Sequence, residues 1–178
     1  MSRNRPDTFV VGGVSYDLTH TAGFVRQCVT KYAPNGLSVL CSFTHHCFTR
    51  DGATDNPNYT CEGESRNFCL DRYNDSLILP GLIVTYLDNC QAMKIYRTKD
   101  KNGAAKLMIL NDPQLNQPYF VYFDLTRSNS KYADVKMTVA SAFRKTRYKP
   151  QDYAKLGTEL DRVIGSIPKL RNKKRPKK

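Results

Sequence analysis

Between Phe43 and Tyr73 the chain reads FTHHCFTRDGATDNPNYTCEGESRNFCLDRY, and this window gathers the side chains most able to bind metal, move protons or hold phosphate. It contains His45 and His46, then Cys47, Cys61 and Cys69, with Arg50, Arg66 and Arg72 among them. Three chemistries are open to such a set. Zinc is the first: His45 and Cys47 lie two apart on an expected strand and so point the same way, while Cys61 and Cys69 in the following loop could complete a tetrahedron. The spacing lacks a C-x2-C pair, and small buried thiols are the competing reading. Acid–base work is the second. His46 falls on the polar side of the same strand, close to Arg50. A neutral imidazole there could take a proton from a ribose hydroxyl while arginines stabilise the phosphorane. Against it stands a histidine that is merely exposed or locally hydrogen-bonded. The third is phosphate binding by Arg72 in the run CLDRY, where an Asp71–Arg72 pairing that only fixes the loop competes. Gly-rich nucleotide-binding patterns are absent, so no cofactor other than the zinc is implied.

Charge narrows the partner. The chain of 178 residues carries a net +12, and its last ten residues, KLRNKKRPKK, hold seven basic groups and no acid. A basic body with a basic tail suggests a polyanion, with nucleic acid ahead of a membrane surface because the tail has no interleaved large apolar residues. A solvated tail that only aids solubility is the competing reading. The opening MSRNRPD is not followed by a secretory apolar stretch, and no run of roughly 18 apolar residues is present. Six cysteines without such a signal read as reduced thiols or metal ligands. The expectation is a cytoplasmic protein that neither spans nor binds a membrane.

The elements that must position these groups follow from periodicity. Thr8–Val11 and Val14–Leu18 flank Gly12-Gly13 as a tight hairpin. A second hairpin is expected of Val25–Lys31 with Leu37–Cys47, turned at Ala33-Pro34-Asn35-Gly36. Its second strand alternates Leu37, Val39, Cys41 and Phe43 against polar neighbours. Arg50–Thr60, continuing through Glu62–Arg66, reads as a long polar loop. Leu77, Leu79, Leu82, Ile83 and Leu87 make an apolar stripe, with the helix set to start near Pro80, where a missing N–H is harmless. Four β-prone segments follow: Ala92–Thr98, Ala105–Leu110, Tyr119–Thr126 and Asp134–Phe143. Their short linkers imply an antiparallel meander. A last helix from about Lys149 ends at Gly165. The fold class is therefore α+β, with residues 1–167 as one domain and 168–178 as a disordered basic tail.

The meander supplies a second surface. Alternation puts Tyr122, Asp124, Thr126, Lys136, Thr138 and Arg144 on the face away from the core, flanked by Arg127, Lys145 and Arg147. Tyrosines can stack bases and the cations can hold phosphates. An ordinary solvent-facing sheet would use similar residues.

Two resemblances add to this. The helix followed by four strands, about Pro80 to Arg147, resembles in topology the RelE and barnase-related ribonuclease toxins. That implies a small metal-independent RNase acting from a concave sheet. Separately, GGVSYDLTH, His46-Cys47-Phe48-Thr49, Phe68-Cys69-Leu70-Asp71-Arg72-Tyr73, Leu79-Pro80 and Ser141-Ala142-Phe143 are similar to bacterial and phage proteins labelled stationary phase growth adaptation proteins. The expectation drawn from all of this is a protein that binds nucleic acid, with RNA preferred. Its sharpest form is a toxin-type ribonuclease with His46, Arg72, Tyr73 and Arg144 catalytic and Arg50, Tyr122, Arg127, Lys136, Lys145 and Arg147 on the nucleic acid. The alternatives are a non-enzymatic stress-related or phage regulatory protein that docks on an acidic partner, and a binding module stapled by zinc.

Overall fold

The computed structural model describes residues 7–51, 59–61, 63–97, 106–112, 117–144 and 158–167. Strands β1 (Thr8–Val11) and β2 (Val14–Asp17) pair antiparallel as expected, with Gly12 and Gly13 at φ 59° and 79° in the turn. Positive φ at both central positions matches the right-handed twist of a two-residue hairpin.

Strands β3 (Phe24–Thr30) and β4 (Ala33–Phe43) form the second hairpin, but its turn is tighter than the Pro-Asn-Gly signal implied. The Thr30 hydroxyl accepts from the Ala33 N–H at 2.8 Å, which closes the chain at Lys31–Tyr32. Pro34, Asn35 and Gly36 then stand opposite the single Val29, two more residues on β4 than on β3, between the Thr30–Ala33 and Cys28–Leu37 pairs. They form a bulge, with Gly36 at φ 86°. Beyond it Leu37, Val39, Cys41 and Phe43 are buried in alternation, as the sequence predicts.

The strand does not run on to Cys47. Thr44 caps a 3-10 turn over His45–Cys47, its hydroxyl accepting from the His46 N–H at 3.3 Å and donating to the Ala140 carbonyl at 2.6 Å. Burial nevertheless follows the expected order: His45 and Cys47 are buried and His46 is half-exposed. Of the polar window beyond it, residues 52–58 and 62 lie outside the described residues, and much of the rest is strand. β5 (Thr49–Arg50), β6 (Tyr59–Cys61) and β7 (Glu64–Phe68) form a small antiparallel sheet with β7 in the middle.

Helix α1 spans Leu70–Asp88 and so begins ten residues before the predicted start, with Pro80 in its interior. Ser76, Leu79, Ile83 and Leu87 are buried at helical spacing. Burying each large apolar side chain contributes roughly 1.5–3 kcal/mol, so three of them outweigh the about 3 kcal/mol that an interior proline costs. CLDRY therefore belongs to a helix start, not to a loop.

The meander is as predicted: β8 (Lys94–Arg97), β9 (Lys106–Asp112), β10 (Gln117–Arg127) and β11 (Val135–Arg144) pair antiparallel in sequence order. β11 then pairs in parallel with β4, joining hairpin and meander. With β12 (Thr158–Glu159) on β8, the sheet runs β12-β8-β9-β10-β11-β4-β3. The last helix, α2, spans Leu160–Ser166, while residues 149–157 of the predicted helix lie outside the described residues. Gly165 lies one residue before the end of α2 and lets the helix approach the turn between β3 and β4, since a Cβ there would stand 2.6 Å from the Cβ of Tyr32.

One core lies between α1 and the sheet, with Leu79, Ile83 and Leu87 packed among Val39, Phe43, Val121, Phe123 and Val139. A smaller cluster of Leu18, Phe48, Tyr59 and Cys61, joined by Phe9, Phe68 and Tyr73, ties the first hairpin to the small sheet. Among the described residues, no helix is long and apolar enough to cross a membrane.

Candidate functional site

A single irregularity in β11 decides which basic residues meet. Tyr122 pairs with Ser141 but the next residue, Phe123, pairs with Val139, so Ala140 is an extra residue in β11. A bulge of one residue reverses the facing of everything beyond it. Arg144, expected beside Lys136 and Thr138, consequently pairs with buried Tyr119 and lies on the helix side of the sheet. There its Nε donates to the Asp75 carboxylate of α1 at 2.6 Å, and its guanidinium stands 5.5 Å from the Tyr119 ring centre. Burial pushes the Tyr119 phenol far up, so it is a neutral hydroxyl under the site.

Arg72 arrives from the first turn of α1. Its Nη1 donates to the Thr49 carbonyl at 2.6 Å and to the His46 carbonyl at 3.3 Å, which ties the helix start to the 3-10 turn and β5. The same guanidinium lies 5.2 Å from the Phe143 ring centre, and Phe143 stacks on Tyr122 at 5.6 Å with an interplanar angle of 19°. Exposed Arg50 on β5 completes the rim. Arg50, Arg72 and Arg144 thus line one cleft of about 560 Å³, together with Cys69, Asp71, Asn74, Asp75 and Phe143. Three guanidinium groups and two carboxylates leave the lining net positive, with an aromatic face beside them.

The other expected site residues fall elsewhere. Tyr73 turns into the aromatic cluster, 5.1 Å from Tyr16 and 5.6 Å from both Phe68 and His20 between ring centres. Lys136 is exposed opposite Thr126 on the outer face of the sheet. Arg127 lines a different hollow with Ser128–Asp134 at the far end of β10, about 27 Å from Tyr119 at ~3.4 Å per strand residue. Lys145 and Arg147 lie outside the described residues. Lys136 and Arg127 therefore lie away from the cleft, while Tyr122 and Phe143 belong to the outer face and join it to the cleft's edge.

The histidines form their own cluster. His46 Nε2 lies 2.8 Å and His45 Nε2 3.3 Å from the same Glu64 oxygen, and the two rings meet edge to face at 4.6 Å. All their ligating atoms lie within 4.8 Å of one another, so the three residues could hold a metal ion. Burial first, and the neighbouring His46 second, lower the His45 pKa, which favours a neutral ring. Hydrogen bonds from His46 and then His45 lower that of Glu64. Arg66 approaches the same Glu64 oxygen at 3.9 Å but is engaged by Asp51 at 2.5 Å and by the Thr49 hydroxyl at 2.8 Å.

The tetrahedron expected of His45, Cys47, Cys61 and Cys69 does not assemble. Cys47 is buried with its thiol 3.9 Å from the Val139 carbonyl, Cys61 packs in the aromatic cluster and Cys69 lines the arginine cleft. None of the six cysteines is in a disulfide, and five of them are buried. Glu64, Asp75 and Phe143 were missed as site residues. The turn at Gly63, whose φ is 83°, was the one local hint that Glu64 opens a strand.

A family model for the YjaZ family matches residues 8–164. The match spans the hairpins, the histidine cluster, the cleft and most of α2, and the chain belongs to the YjaZ family. No curated protein matches the chain. No solved structure matches it.

Proposed function

We propose that this YjaZ-family chain binds single-stranded RNA in the cleft between the start of α1 and the end of β11. The observation that carries the reading is the convergence of Arg50, Arg72 and Arg144 on one cleft walled by Phe143, itself stacked on Tyr122. Guanidinium groups hold phosphates in forked geometry, and an aromatic face beside them accepts an unpaired base. Duplex RNA has its bases stacked away and would offer that face nothing. The outer sheet face with Lys136 and Thr126 is a secondary path for the strand. The basic residues of 169–178 supply a further, sequence-independent attraction.

The reading is one of binding, not cleavage. The His46 imidazole is engaged by Glu64, and His46 contributes only its carbonyl to the arginine network. RNA incubated with the protein is expected to be recovered intact. Zinc held by cysteines is not part of the proposal, because the thiols are dispersed.

Fluorescence anisotropy with a labelled single-stranded oligoribonucleotide tests this. Each neutralised phosphate contributes about −0.7 to the slope of log K against log salt for single strands. The chain lacking Lys169–Lys178 is expected to retain binding with a slope of roughly −2, as three arginine contacts require. The full chain should show a steeper slope. Loss of all binding on removing the tail would assign the contact to the tail and sink the cleft reading.

A further inference from the structure

We propose that His45, His46 and Glu64 form a binding site for a divalent transition-metal ion, with zinc as the ion that suits the donors best. This site is distinct from the arginine cleft and does not depend on RNA binding. The donor chemistry is two imidazole nitrogens and one carboxylate oxygen, a set that binds zinc with one coordination position left open. Two of the three donor separations are close to what an ion needs, and the third lies within 4.8 Å. Tetrahedral ligands about 2.05 Å from a metal stand ~3.3 Å apart. His45 Nε2 is already 3.3 Å from the Glu64 oxygen, and His46 Nε2, at 2.8 Å, has to withdraw by about half an ångström.

The backbone around these donors is fixed before any ion arrives. The His45 carbonyl accepts from the Thr49 hydroxyl at 2.8 Å and from the Phe48 N–H at 3.2 Å, and Thr44 caps the turn. The Tyr59 ring, 5.9 Å from that of His45 between centres, closes the inner side. Burial is graded across the donors: side-chain exposure is 5% for His45, 32% for His46 and 55% for Glu64. The donors grade from buried His45 to exposed Glu64, so an ion held there would be reachable from solvent. Arg66 is the opposing feature, 3.9 Å from the carboxylate. Its guanidinium is held by Asp51 and by the Thr49 hydroxyl.

The test is calorimetric titration of untagged full-length chain, stripped with a chelator and kept reduced, with Zn²⁺ alone. One equivalent is expected to bind with Kd of about 10 µM or tighter. His46→Ala and Glu64→Gln are each expected to weaken binding at least ten-fold, as loss of a ligand or its support does. Both side chains are at least partly exposed, so the variants should stay folded, which circular dichroism checks. Cobalt(II) provides a second readout. Visible bands of a nitrogen–oxygen site without a thiolate charge-transfer band support the assignment. Absence of saturable binding below about 100 µM overturns the proposal. So does binding that is unchanged in both variants, or a cobalt spectrum dominated by thiolate.

Discussion

Replacing Arg144 with methionine is expected to lower stability by about 3 kcal/mol, the range found when one partner of a desolvated ion pair is removed. Arg144 and Asp75 have side-chain exposures of 15% and 18% and meet at 2.6 Å, so solvent would replace the lost partner only in part. The loss comes mainly from that stranded charge, not from the missing Coulomb attraction. Removing both groups should therefore recover much of it. The Asp75→Asn and Arg144→Met pair is expected to show a coupling of roughly 2 kcal/mol in a double-mutant cycle. For a chain of this length the single change corresponds to a fall in Tm of roughly 10 °C, read by thermal or urea unfolding. Additive effects would mean that the bulge at Ala140 does not deliver Arg144 to the helix.

Arg50→Glu is expected to weaken single-stranded RNA binding ten-fold or more while leaving stability within about 0.5 kcal/mol. Arg50 is exposed on the rim of the cleft, on a strand held to β7 by backbone pairing at Asn67, so its charge can be reversed without disturbing packing. One phosphate contact at about 4 Å is worth roughly 1–4 kcal/mol between bulk-water and near-surface dielectric conditions, and reversal turns attraction into repulsion. Arg127→Glu is the matched control. Its charge change is the same, but it lies in the other hollow at the far end of β10. Equal losses from both variants would indicate diffuse attraction to net charge instead of a site.

The parts of this fold that period-2 alternation controls were legible. The meander and the buried run Leu37, Val39, Cys41, Phe43 needed only alternation and short linkers. So was the burial of the thiols, which follows from residue type. The start of α1 was not legible because Pro80 and Gly81 argue locally for a break. The competing stabilisation comes from Leu79, Ile83 and Leu87 meeting a sheet that is assembled from distant strands. The position of Arg144 was lost for a related reason. Ala140, Ser141 and Ala142 carry no mark of a bulge, and the device that holds it is the hydroxyl of Thr44, nearly a hundred residues away. Cys69 through Tyr73, expected in a loop, sits at a helix start instead.

The candidate site shows the same division. Arg50, Arg72 and Arg144 were each candidates for phosphate contact by residue type, and they line one cleft. His46 was singled out by facing alone, while its partner Glu64 depends on β7 pairing with β5 and β6 inside a polar window that has no hydrophobic period. Tyr73 was chosen for its chemistry, yet ring packing with Tyr16 and Phe68 accounts for it.

Photocrosslinking of a 4-thiouridine oligoribonucleotide to the full-length chain, followed by peptide mass spectrometry, tests the cleft most directly. The account predicts crosslinks on Phe143, Tyr122 or Cys69, the groups with an aromatic face or thiol at or beside the arginines. It also predicts their loss in Arg50→Glu. Crosslinks confined to Lys169–Lys178, or unchanged by that substitution, would contradict it.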